Sequence, residues 1–279
     1  MIPLLRVELV KALKRMRTYV IFLIVIGIPV IMTIAVHANP PGAPGRGESG
    51  RVGGLFYLAT NTGLVMPAAA LRLMSGFLLV IIVAVFGGDA IAGEATWGNL
   101  RYLLMRPIGR GRLLGTKFVV ALLCAWIATV LVVLAGFVAG VIAFGYHDLN
   151  VPGLIFSSYS QSSGTLVGHL GIATAYVAWS LSAVVAFSFL FSVLTDAPTG
   201  AVFAGVGLYI TSTILDAIDS VPSGIRNILP THYFDSWVDM FTQNHVSTDM
   251  WKGAGITLAY VVVFVGAAAW HFRRKDILS

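Results

Sequence analysis

Residue types that perform chemistry are sparse and scattered in this chain. Its 6 histidines (His37, His147, His169, His232, His245 and His271) include no i, i+4 pair and no H-E-x-x-H, the spacing that turns two imidazoles of one helix toward a zinc ion. The single cysteine, Cys124, lies in an apolar run and allows no disulfide within the chain. Ser157, Ser158, Ser160, Ser162 and Ser163 crowd one polar stretch, but no G-x-S-x-G elbow presents a serine as a nucleophile. The string from Gly109 through Gly115, Thr116 and Lys117 has the wrong spacing and order for G-x4-G-K-[ST], the loop that cradles phosphate. The spacing that does carry information suits binding. Leu100, Leu103 and Leu104 stand at i, i+3 and i+4, Arg101 and Arg106 rim them, and Pro107 stops the helix they would form. Apolar anchors with a basic rim are what a partner protein can grip.

The elements that must position this patch are membrane spans. The chain is 57% hydrophobic and 11% charged, with mean hydropathy +0.87, whereas soluble domains carry about 25% charged residues. Crossing ~30 Å of hydrocarbon takes ~20 mostly apolar residues, and six stretches qualify: 19–37, 67–88, 118–144, 167–194, 200–218 and 254–272. The expected fold is therefore an all-α membrane protein, a single transmembrane domain over 1–279. Basic residues give its orientation. Arg6, Lys11, Lys14, Arg15 and Arg17 cluster at the N-terminus, Arg101, Arg106, Arg110, Arg112 and Lys117 in the centre, and Arg273, Arg274 and Lys275 at the C-terminus. Lys and Arg mark the cytoplasmic side, so both termini and a central loop, 89–117, are expected in the cytoplasm of a multi-pass plasma-membrane protein. These clusters flank apolar spans, which explains the pI of 9.6 without nucleic acid as a partner. Residues 1–18 read as an amphipathic interface helix, with Leu5, Leu9, Ala12, Leu13 and Met16 on one side and the basic residues turned to lipid headgroups.

Two further readings follow from the spans. Their middles are apolar; Arg72, His169 and Asp216 fall near outer ends. Ion-driven carriers place carboxylates or broken helices at mid-membrane, so the energy for any transport is expected from elsewhere. In the extracellular stretch 219–253, Phe234, Trp237 and Phe241 are spaced for one helical face. They suit either an interfacial aromatic belt or an extracellular gate.

The run Glu94-x3-Gly98-x-Leu100-x6-Pro107, with Lys117 leading into the next span, resembles the cytoplasmic coupling region of type-2 ABC transporter permeases. That resemblance implies six spans, an amphipathic N-terminal helix, a basic C-terminal tail over 273–279 and short extracellular helices between the last two spans. It also implies that Glu94, Gly98, Leu100, Arg101, Leu103, Leu104, Arg106 and Pro107 form a coupling helix that docks on a separate cytoplasmic ABC ATPase. The chain would then be a permease subunit, pairing with a second permease subunit in the bilayer and exporting a hydrophobic or amphipathic molecule. It would bind no cofactor itself, with ATP and Mg held by the ATPase. The alternative is a six-span structural or assembly subunit without transport activity. An intramembrane enzyme ranks lower for want of catalytic groups.

Overall fold

A computed structural model describes residues 2–42, 52–96, 109–151, 159–218, 220–242 and 248–274. It is built almost wholly of helices: α1 (Ile2–Leu13), α2 (Met16–Ala38), α3 (Val52–Asn61), α4 (Met66–Ser75), α5 (Leu78–Thr96), α6 (Arg110–Phe144), α7 (Ser163–Leu194), α8 (Pro198–Ala217), α9 (Ser223–Arg226), α10 (Asp239–Thr242) and α11 (Thr248–Arg274). A short antiparallel hairpin, β1 (Leu149–Val151) and β2 (Tyr159–Gln161), interrupts them, with Asn150 opposite Ser160. Five helices are long and apolar enough to cross a membrane, and α4 with α5 makes a sixth if that bent pair is one span. The chain is a multi-pass membrane protein. Arg273 of α11 lies beside Gly111 of α6, and Thr96 Oγ1 donates to the Asp196 carbonyl at 3.0 Å. The described parts of both termini thus share one end of the bundle, called here the terminal end; the other is the distal end.

The stretch expected as one span over 67–88 is broken. Gly63–Ser75 and Leu78–Glu94 meet at 62°. The cause is local: the Ser75 hydroxyl bonds the Arg72 carbonyl at 3.3 Å, and Phe77 N–H takes the Met74 carbonyl in a tightened last turn. Gly76 offers no side chain to resist, and such Gly/Ser pairs are where helices kink. Helix α5 then runs on to Thr96, so Asp89 and Glu94, expected in a loop, stand inside a helix. Helix α3, in the stretch between the first two spans, was not expected. Its ten residues are too few to cross a bilayer, and it buries Leu55, Leu58 and Ala59 in the core.

Helix α5 sits at the centre, packed on α6, α7 and α8. Small residues allow close approach there and beside it. A Cβ on Gly140 would lie 2.5 Å from the Gly63 carbonyl oxygen, and one on Gly205 would lie 1.8 Å from Ser188 Oγ. The small-residue spacings Gly136–Gly140 and Ala201–Gly205 therefore serve packing within the chain. Helices α2 and α11 lie outside, with Leu23 73% and Val262 63% exposed, a surface that suits lipid rather than water. Helices α6 and α7, of 35 and 32 residues, are about 50 Å long at 1.5 Å per residue and so reach beyond the hydrocarbon.

Candidate functional site

Charged side chains converge at the terminal end, at the root of the segment between α5 and α6. Helix α1 stops at Leu13, and the extended backbone of Arg15 (φ −70°, ψ 134°) lets α2 begin at Met16. That break turns Glu8, Lys11 and Arg15 toward α5 and α6. Lys11 Nζ lies 2.6 Å from Glu94 Oε1, Lys117 Nζ lies 2.7 Å from Glu94 Oε2, and the same ammonium reaches Glu8 Oε2 at 3.0 Å. One helical turn deeper, Asp89 accepts from Arg17 at 2.6 Å and from Arg15. A Cβ on Gly93 would stand 2.3 Å from Asp89 Oδ1, so that glycine makes room for the carboxylate.

Three acids and four bases thus lock α1 and the start of α2 to α5 and α6. The lock is dry at its centre: the Glu94 and Lys117 side chains are 2% and 3% exposed. A buried charge is tolerated only when it is paired and hydrogen-bonded, and here Lys117 serves two carboxylates while Glu94 serves two ammonium groups. Beside it lies a cavity of ≈ 50 Å³ lined by Arg15, Asp89, Lys117 and Cys124, large enough for water. Ser192 of α7 ties in the far side, its Oγ accepting from the N–H groups of Ile91 and Ala92 at 3.0 and 2.9 Å.

This geometry alters the reading of residues 1–18. Lys11, Arg15 and Arg17 face Asp89 and Glu94, while Arg6, Val7, Val10 and Lys14 keep the exposed face. Of the expected docking residues, Glu94 belongs to the lock; Gly98, Leu100, Arg101, Leu103, Leu104, Arg106 and Pro107 lie outside the described residues. Glu8, Asp89 and Lys117 were missed as site residues. Their signal was an ionisable group within an otherwise apolar helical repeat, visible at Asp89 once α5 is extended past residue 88.

At the distal end the three aromatic residues do not share one helical face. Residues 230–235 form turns, Ser236–Val238 a 3-10 turn and α10 one helical turn. Phe234 packs edge-on against Tyr209 at 5.9 Å, and Phe241 stands between Trp237 and His169 at 6.0 and 6.1 Å. All three are buried, so they plug the bundle rather than belt it. The plug is held from α7, where Tyr176 donates to the Tyr233 carbonyl at 2.6 Å, and from β2, where Gln161 donates to the Met240 carbonyl at 3.1 Å. The short helices α9 and α10 lie in this stretch. Among the described residues no three His, Cys, Asp or Glu side chains gather to hold a metal ion.

Known proteins resemble this chain in sequence. A 231-residue stretch, 77% of this chain and 68% of its counterpart, is 24% identical to the uncharacterized protein YhcI of Bacillus subtilis (strain 168). A shorter stretch of 119 residues, 42% of each chain, is 34% identical to the probable ABC transporter permease protein NosY of Stutzerimonas stutzeri. Less than half of that permease's length is matched. Residues 56–278 match a family described as "Protein of unknown function (DUF2705)", and since they make up most of the chain, running from α3 beyond the last described helix, the protein belongs to that family.

Proposed function

We propose that this chain is the membrane-spanning permease subunit of an ATP-driven transporter of the type-2 ABC class. Two such subunits pair in the plasma membrane with their termini in the cytoplasm, and separate cytoplasmic ATPase subunits bind ATP and Mg. The observation that carries the reading is the 34% identity over 119 residues to a probable ABC transporter permease. The geometry supports it. Residues 97–108 join α5 to α6 in the chain, and the charge lock grips both helices and α1, so a push transmitted to α5 and α6 would move all three together. The substrate we infer is hydrophobic or amphipathic and exported. Two apolar grooves support this: one of ≈ 550 Å³ beside Ile26, Ile34, Leu134 and Ile142, the other of ≈ 600 Å³ beside Trp126, Phe137, Leu170 and Trp179. Both lie on flanks where lipid-soluble molecules could approach.

The test is Leu100→Asp with Leu103→Asp in the tagged full-length chain. The wild-type chain is expected to co-purify with vanadate-sensitive ATPase activity. The double variant is expected to reach the membrane in equal amount and lose at least 90% of that activity. Equal activity with both chains would remove the docking assignment. No activity with either would favour the structural-subunit alternative.

A further inference from the structure

The distal end carries a second set of charges that the transporter reading does not use. Arg72 is the one charged residue in α4, Met66–Ser75, and most of its neighbours there are buried. Its Nη2 lies 2.5 Å from Asp235 Oδ2, in the loop that carries the aromatic plug. Arg72 Nε is buried without a hydrogen-bond partner among the described residues. The first half of the same loop is tied elsewhere. Asp216 of α8 lies 2.5 Å from His232 Nδ1 and 3.6 Å from Arg226 Nε, and Ser212 and Thr231 share a hydrogen bond of 2.7 Å. The loop therefore bridges α8 and the hinged helix α4, and each side has its own charged contact. Tyr209 stands at the crossing, its ring against Phe234 and its hydroxyl 3.5 Å from the Ser75 carbonyl at the hinge.

We propose that the Arg72–Asp235 pair is a latch that holds the outer half of the broken helix against the loop, and that its release lets the aromatic plug lift from the bundle. Three observations converge. The helix that bears Arg72 is already hinged, at 62°. The pair is only partly enclosed, with side chains 22% and 50% exposed against 3% and 2% for Lys117 and Glu94, so it opens at lower cost than the enclosed lock at the terminal end. The uncharged hydrogen bonds from Tyr176 and Gln161 must open with the latch, while the loop stays anchored to α8 through Asp216, so the plug swings rather than unfolds. The latch needs no ATPase to be observed, so its test stands apart from the proposed transport function.

The experiment uses the detergent-purified full-length chain with Cys124→Ala and one reporter, Val238→Cys, at a site 4% exposed. Labelling by a polar maleimide is expected to be slow. Asp235→Asn, and separately Arg72→Gln, should raise its rate at least tenfold, and the exchange Arg72→Asp with Asp235→Arg should return it toward the slow value. A second reporter, Val184→Cys in the core of α7, should stay slow in every variant. Slow labelling of Val238→Cys in both single variants overturns the latch. So does fast labelling at both reporters, which would mean that the pair holds the fold rather than a moving part.

Discussion

At the scale of single residues, Glu94 and Asp235 show how one side-chain chemistry serves two purposes under different solvation. Glu94 is dry and shared by two ammonium groups. Deleting one partner of such a set strands the remaining charges at about 3–5 kcal/mol. Glu94→Gln is expected to lower the thermal midpoint of the purified chain by several degrees, and adding Lys117→Met should restore part of it. Simple additivity of the two losses would show that they do not interact. Asp235 is half exposed, yet the loop packed around it raises its pKa; Arg72 opposes that rise and Asp216 adds to it. A carboxyl raised in the folded state binds more protons there than in the unfolded chain, so this group adds stability as pH falls. The ion pair itself is lost over the same range. Acidification through this range should nonetheless add stability rather than remove it. The thermal midpoint of Asp235→Asn, which lacks this titration, should therefore gain less on acidification than that of the unsubstituted chain.

At the scale of elements, the long spans were legible because their apolar runs exceed what any other structure needs. The runs expected over 118–144 and 167–194 lie within α6 and α7; α6 starts earlier because Arg110, Arg112 and Lys117 sit on its polar extension, and α7 because Ser162 caps it ahead of the apolar run. The break after Ser75 was not legible, since 67–88 reads as one apolar run and the kink depends on a hydroxyl choosing a carbonyl. Nor was the close contact between Gly140 and the 3-10 turn at Gly63–Val65, which joins segments far apart in sequence. It has a clear consequence. Gly140→Val would drive a methyl group into backbone at Gly63 and is expected to cost about 2–3 kcal/mol, read as a lower thermal midpoint. Gly207→Ala, on a part of α8 with open space beside it, should leave the midpoint unchanged.

At the scale of the whole molecule, the positive clusters read in the sequence as two terminal anchors and a central docking loop, and the structure joins the N-terminal and central clusters through acids. Glu8 is far along the chain from Asp89 and Glu94, and no local rule pairs these acids with Lys117 or Arg15. The aromatic plug was legible as a cluster but not as a core feature, because burial of Phe234, Trp237 and Phe241 depends on α7 and α8 closing over a loop of turns. The lock also sets an order for biogenesis. Glu8 and Lys117 are separated by 109 positions, and at ~5–20 residues per second of synthesis Glu8 is made roughly 5–20 seconds before its partner. Until then α1 rides at the membrane surface with its acid unpaired while α2 is already made. Synthesis of Lys117, near the start of α6, is thus the earliest point at which the lock can close, and a chain halted before it would keep Glu8 without that partner.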